Sequence, residues 1–239
     1  MQRYFGRIVD KHVILEEDDI FHIVKVMRCK IGDKIEVVSD GRLYEAEIKS
    51  IKPVMIDVIG LIKEDHELPN QIILICALLK GDKLDYVIQK ATELGVSEIV
   101  FALTNRTIVK VKKLDKDFKF ERYRRIAKEA SEQSKRLRIP TINRIVTLDR
   151  VKEVKADIKL VAYENVSGTT KSFLEGIKSL EKGKKLAILI GPEGGFENDE
   201  IAFLEDLGYK CVSLGKRILR AETASIYALS VIGSYLERK

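Results

Sequence analysis

Apolar and polar residues alternate with period two in Leu43-Tyr44-Glu45-Ala46-Glu47-Ile48, and the strand-like run Lys34-Ile35-Glu36-Val37-Val38-Ser39 precedes it. Asp40-Gly41 lies between these runs, and an Asp-Gly pair flanked by alternating segments predicts a tight β-hairpin. Ile51 to Ile62 adds further strand-like residues around Pro53. Ahead of the hairpin, Ile20, Phe21, Val24 and Met27 recur at helical spacing and predict a short helix over Asp18 to Met27. The first seventy residues thus read as a small β-barrel, with a boundary at Leu68-Pro69-Asn70.

From Gln71 the pattern changes. Ile72 to Leu79 is a continuous apolar strand, followed by Lys80-Gly81-Asp82-Lys83. Leu84, Val87, Ile88, Ala91 and Leu94 then fall on one helical face, with Gly95 in the C-terminal cap position. Glu98 to Leu103 predicts the next strand, running into Thr104-Asn105-Arg106-Thr107. Phe120, Tyr123, Ala127, Ala130, Ser134 and Leu137 mark a longer amphipathic helix that should stop before Pro140. Ile142 to Val146, Ile158 to Tyr163, Leu186 to Ile190 and Cys211 to Leu214 supply more strands. Strands alternating with helices predict an α/β domain over 71–239 with a largely parallel sheet. The last helix, Thr223 to Tyr235, is apolar or small nearly all round, so it should be buried under the sheet or against another subunit.

Composition narrows this picture. No stretch of 18 uninterrupted apolar residues occurs, and the N-terminus is basic and polar, which reads as a soluble, cytoplasmic protein with no membrane partner. Cys29, Cys76 and Cys211 are scattered, so buried thiols are expected rather than a disulfide framework. His12, His22 and His66 show no ligand spacing with one another or with the cysteines, so no metal is expected. Charge is uneven. Residues 105–138 hold thirteen Lys or Arg against five Asp or Glu, a local +8 that leaves the remainder at −2 of the total +6. Such a segment suits a phosphate backbone, or else a solvated helix face in a charge-rich chain.

Two glycine-bearing loops carry the candidate chemistry. Ile190 runs into Gly191-Pro192-Glu193-Gly194-Gly195-Phe196, and Leu214 runs into Gly215-Lys216-Arg217-Ile218-Leu219-Arg220-Ala221-Glu222-Thr223-Ala224. Both follow strands, at the edge where open α/β sheets bind ligands. The dinucleotide pattern G-x-G-x-x-G after the first strand is absent, as is the phosphate-loop pattern G-x-x-x-x-G-K-[ST]. The first loop therefore reads equally as a structural turn or a ligand site.

The two loops taken together, with Glu129, Gln133, Arg136 and Pro140 and with Asn105-Arg106-Thr107 upstream, resemble the 16S ribosomal RNA uracil-N3 methyltransferases of the SPOUT class. His22-Ile23, Val26-Met27-Arg28, Gly32-Asp33 and Asp40-Gly41 extend the resemblance over nearly the whole chain. One departure is Glu197, where a Ser or Thr helix cap is expected; Asn198 is expected to cap instead.

The resemblance implies a C-terminal domain with a deep trefoil knot and an N-terminal PUA-like barrel over 1–70. It implies a homodimer joined through the knotted domain, acting on 16S rRNA of the small ribosomal subunit. It also implies S-adenosyl-L-methionine as cofactor, leaving as S-adenosyl-L-homocysteine. By that resemblance the cofactor is bound by Ala162, Tyr163 and Glu164, by Ile190, Gly191, Pro192, Glu193, Gly194 and Gly195, and by Leu214, Gly215, Ile218, Leu219, Arg220, Thr223 and Ala224. Tyr163 and Phe196 line that pocket or pack in the core, and Glu193 also orders its own loop. Uridine N3 must lose a proton before it attacks a methyl group, and negative charge then develops on O2 and O4, so arginines suit the site. Arg220, Glu222 and Arg106 are the catalytic candidates, with Glu222 as base or as the group that orients Arg220. Arg28, Asn105, Arg106, Arg124, Arg125, Gln133 and Arg136 are the candidates for RNA contact, Gln133 and Arg136 sharing a helix face with Glu129. The alternatives are a SPOUT enzyme acting on another RNA target, such as a ribose 2′-hydroxyl, and a non-catalytic RNA-binding module.

Overall fold

The computed structural model describes residues 1–107, 119–163 and 171–238. Its first sheet contains β1 (Arg3–Phe5), β2 (Arg7–Val9), β3 (His12–Ile14), β4 (Lys34–Ser39), β5 (Arg42–Ile51) and β6 (Val54–Ile62) in the order β1-β4-β5-β6-β3-β2. The Asp-Gly hairpin forms as the pattern predicts: Ser39 pairs with Arg42, and Asp40 and Gly41 take φ of 49° and 71°. Two consecutive positive φ values match the right-handed twist of the flanking strands. β1 joins β4 in parallel, and the other pairs are antiparallel, so the sheet is mixed. Its core is Tyr4, Ile23, Ile35, Val37, Ala46, Ile48 and Ile56.

The predicted helix over 18–27 is shorter and differently wound. α1 (Glu17–Phe21) passes into one π-helical turn, His22–Val26, closed by the Met27 N–H donating to the His22 carbonyl at 2.8 Å. A wider turn breaks the 3.6-residue phase. Ile23 is therefore the residue that enters the core, while Phe21 and Met27 remain 60% and 47% exposed.

Lys128–Arg138 joins Met1–Glu67 in one compact unit. Charged groups hold this segment. Arg3 is buried, its Nε donating to Glu36 at 2.9 Å and its Nη1 to the carbonyls of Lys135 and Arg136. The Glu67 carboxylate accepts from Arg136 Nη2 at 2.6 Å and from the Leu137 and Arg138 amides at 2.9 and 3.1 Å. Lys128 sits between Asp19 and Glu132.

The remaining described residues form the second unit. β7 (Gln71–Ala77) leads to α2 (Lys83–Glu93), which ends in paired bonds from Gly95 N–H to the Thr92 carbonyl and from Val96 N–H to the Ala91 carbonyl. β8 (Glu98–Leu103) follows. α3 (Phe120–Gln133) packs its first turns here through Phe120, Tyr123 and Ala127. It ends at Gln133, several residues before Pro140, because Lys135 takes a left-handed φ of 62°. β9 (Thr141–Thr147), β10 (Ile158–Ala162), β11 (Lys171–Ser172), α4 (Phe173–Ile177), β12 (Lys185–Ile190), α5 (Asn198–Asp206), β13 (Lys210–Ser213) and α6 (Ala221–Leu236) complete the unit.

The sheet order is β11-β13-β10-β12-β7-β8-β9, and every pairing is parallel. Uninterrupted apolar strands belong in such a sheet because both faces are covered. In β7, Ile72, Leu74 and Cys76 enter one core with α2, α3, α4 and α6, while Ile73 and Ile75 enter another with α5. β12 divides likewise, Leu186, Ile188 and Ile190 against Ala187 and Leu189. α6 buries Ala224, Ala228, Leu229, Ile232 and Leu236. Its other side borders a groove with Leu174, Tyr227 and Val231, so this helix is covered on one face rather than all round. Among the described residues no helix is long and apolar enough to cross a membrane.

Candidate active site

Parallel pairing puts the C-terminal ends of β13, β10, β12, β7 and β8 side by side on one edge of the sheet. Both glycine loops, after β12 and β13, leave from that edge. Ala162 and Tyr163 at the end of β10, with the loops after β12 and β13, line a cleft of about 390 Å³, within the range of roughly 300–1,000 Å³ usual for small-molecule sites.

The glycine loop after β12 is fixed from within. Gly195 N–H donates to the Pro192 carbonyl at 2.9 Å, and Gly195 has φ +68°. A Cβ on Gly191 would meet the Phe196 ring at 2.8 Å, so the bare backbone lets that ring lie flat against the strand end. Phe196 does both things foreseen for it: it borders the cleft and packs in the core with Ile201 and Leu204. Glu193 lines the cleft, and its Oε1 is 2.7 Å from Lys83 Nζ at the start of α2. Burial raises the Glu193 carboxyl, but the Lys83 hydrogen bond, the loop's own amide and the charges of Lys83 and Lys80 together hold it below its ordinary range.

The start of α5 departs from expectation. Glu197, not Asn198, occupies the cap position, and its amide donates to Glu200 at 2.8 Å. Asn198 instead accepts from the Tyr163 hydroxyl at 3.1 Å, tying the end of β10 to α5. The other oxygen of Glu200 accepts the Asn105 amide at 2.8 Å, and Asn105 Nδ2 donates to Glu197 at 2.8 Å. Arg106 Nη1 donates to the Gly194 carbonyl at 2.9 Å. Asn105 and Arg106 thus brace the glycine loop and the start of α5.

After β13, the Gly215 amide donates to the Ser213 hydroxyl at 3.2 Å, and Gly215 takes φ +124°. Ile218 is 91% exposed, and Arg217 and Arg220 are exposed beside it on the cleft wall. Arg220 is also the N-cap residue of α6, its carbonyl accepting the Ala224 amide at 2.8 Å.

The described residues assigned one by one to the cofactor line this cleft, with two exceptions: Gly194 and Thr223 do not. Glu164 lies outside the described residues, as do the lysines of 108–118. Arg217 and Ala221, within the predicted loop from Leu214 to Ala224, line the cleft as well. Arg106 does not line it. Glu222 does not line it either; its Oε2 is buried, without a hydrogen-bond partner, 3.9 Å from Lys83 Nζ.

The residues assigned to RNA separate in the same way. Arg28, Arg125 and Gln133 are exposed, Arg28 with φ 53°. Arg124 is exposed too, although its Nε donates to the Ile142 carbonyl at 3.0 Å and its guanidinium lies over Phe120. Arg136 is a correction. It lies beyond the end of α3, is 3% exposed and is held by Glu67, so its side chain is structural and shares no accessible face with Glu129 and Gln133. Lys83, Glu200 and Glu67 were missed by sequence reasoning. Only Lys83 carried a signal, two residues past a glycine at the end of the first parallel strand.

A parallel sheet covered on both faces, with a cleft over the ends of β10, β12 and β13, defines an α/β enzyme domain built to hold one small molecule. Comparison with known proteins places it further. A family profile described as an RNA methyltransferase domain matches residues 66–233, and one described as an RNA methyltransferase PUA domain matches 15–55. The ribosomal RNA small subunit methyltransferase E of Bacillus subtilis is 36% identical over 250 residues, spanning 99% of this chain and 98% of its own. A Legionella pneumophila protein described as a methyltransferase, solved with its cofactor SAM bound, aligns with TM-score 0.88 at 30% identity over 98% of both chains. The methyltransferase E of Neisseria gonorrhoeae bound to S-adenosyl methionine aligns with TM-score 0.85 at 26% identity, again over 98% of both. The chain belongs to this family of RNA methyltransferases.

Proposed function

We propose that the cleft holds S-adenosylmethionine and that the protein methylates N3 of a specific uridine in 16S rRNA, in the cytoplasm where the small ribosomal subunit is made. The observation that carries this is the cleft lined by Ala162 and Tyr163 at the end of β10 and by the loops after β12 and β13. The lining suits the cofactor. Ile190, Leu214, Leu219 and Ala224 offer apolar walls to an adenine ring, a Cβ on Gly195 or Gly215 would meet nothing within 4 Å, and Glu193 supplies an acidic group for a cationic one. When bound, S-adenosylmethionine supplies an electrophilic methyl group on a sulfonium sulfur.

The chain's own residues do the rest. Uridine N3 must give up its proton, and the charge left is shared by O2 and O4. Arg220, exposed on the cleft wall at the N-terminus of α6, is placed to stabilise that charge, helped by the positive end of the helix. Arg106 contributes by fixing the carbonyl of Gly194, and Glu222 by ordering the first turn of α6 beside Lys83. Arg28, Arg125 and Gln133, exposed as described, are assigned to RNA, along with Arg124.

The same reading has the segment after β13 threaded through the chain ahead of it, which is supported by β13 pairing with β10 rather than with β12. It has two copies meeting along α6, supported by the groove that Leu174, Tyr227, Val231 and Tyr235 leave open there. The test is methyl transfer to small subunits or 16S RNA from a strain lacking the native enzyme, with the product mapped by mass spectrometry. A 3-methyluridine at one position is expected; a 2′-O-methyl product or no transfer overturns the assignment.

A further inference from the structure

Three charged side chains from three separate elements meet beside the cleft. Lys83 opens α2, Glu193 lies in the glycine loop, and Glu222 is in the first turn of α6. The Lys83 ammonium is 2.7 Å from Glu193 Oε1 and 3.9 Å from Glu222 Oε2. That Glu222 oxygen is buried and has no hydrogen-bond donor. Buried carboxylate oxygens without a donor are costly, and they persist where the surrounding structure makes use of them. Arg220 and Lys80 add positive charge nearby, and Cys76 is buried beside the two carboxylates with its thiol pushed up to about 12 by desolvation.

Within the trio alone, one ammonium faces two carboxylates, and Glu193 is the carboxylate that borders the cleft. Lys83 does not itself line the cleft, so it acts through its partners. We propose that Lys83 is a positioning residue: it clamps the glycine loop to the start of α6 and sets the charge that the Glu193 wall offers a cationic ligand. This rests on the reading of the cleft as the S-adenosylmethionine site. The cofactor carries a sulfonium charge that its product, S-adenosylhomocysteine, lacks. The two ligands therefore report separately on charge and on shape.

Removing the ammonium should make the wall more negative and loosen the clamp together. In Lys83→Met, the ratio of the S-adenosylhomocysteine Kd to the S-adenosylmethionine Kd should rise by about fivefold, as expected for removing one charge from partly hydrated surroundings. Turnover at saturating cofactor and RNA should fall, on the order of tenfold to a hundredfold, because loop and helix lose their common anchor. Lys83→Arg should restore both, and Glu193→Gln should move the ratio the other way. Titration calorimetry with each ligand gives the ratios, steady-state methyl transfer gives kcat and KM separately, and thermal melting checks that each variant is folded. An unchanged ratio in folded Lys83→Met, or a failure of Lys83→Arg to restore it, overturns the proposal. If the unaltered protein binds neither ligand, the reading of the cleft fails first and the role of Lys83 falls with it.

Discussion

Arg106 donates through Nη1 to the carbonyl oxygen of Gly194 at 2.9 Å, although 88 residues separate them in sequence. The bond joins the end of β8 to the loop after β12, so an arginine outside the cleft controls the shape of one of its walls. Arg106 is half exposed, so the contact is worth about 1 kcal/mol at most. Arg106→Ala should therefore weaken S-adenosylmethionine binding about twofold to fivefold, measured by calorimetry. Unaltered cofactor affinity with weakened RNA binding would move Arg106 to the RNA side.

Arg220 should behave in the opposite way. Its guanidinium is exposed on the cleft wall, while its backbone caps α6 and survives substitution. Arg220→Ala should cut methyl transfer by about 10²-fold or more and leave cofactor affinity nearly intact. Near-normal turnover in a methyl-transfer assay would strike it from the catalytic residues.

Arg136 is buried and pairs with the half-buried Glu67, whose carboxylate also holds two backbone amides. Removing one partner strands the other. Glu67→Ala should destabilise the first unit by about 3–5 kcal/mol, read from urea unfolding. Arg136→Ala should show the same loss of stability. Its RNA affinity at fixed salt should match that of the parent protein wherever it is folded.

Acid sensitivity should centre on Glu36. Burial acts to raise its carboxyl, but hydrogen bonds from Lys135 and Arg3 prevail and hold it below the ordinary range. A carboxyl lowered on folding adds stability above its unfolded pKa and loses it as pH falls through the folded value. Glu36→Gln should thus cost most stability at neutral pH, and the gap to the parent should close as pH falls below the ordinary glutamate range of about 4. A gap independent of pH would show that packing, not charge, makes the difference.

The parts of this molecule legible in its sequence are those governed by short-range periodicity. The Asp40-Gly41 hairpin, α2 with Gly95 at its end, and the parallel strands that carry the two glycine loops all follow from residues a few positions apart. The π-turn after Phe21 does not, because a single extra residue in a turn leaves no mark on an apolar stripe. The Glu200 carboxylate reads as an ordinary charge in a helix, and only the approach of Asn105 from another strand end makes it a buried fastening point. Arg136 misled for the same reason: in sequence it stands in a basic run, whereas in space Glu67 removes it from solvent.

Lys128–Arg138 has a further consequence. The peptide Met1–Glu67 contains every strand of the first sheet, yet alone it would lack the carbonyls that receive the Arg3 guanidinium and the arginine that answers Glu67. This half of the protein is therefore not a cassette that can be cut away at one point and moved elsewhere. Its missing rib is borrowed from a stretch of chain made some sixty residues later, so an emerging polypeptide completes its first part only after much of the second has been synthesised.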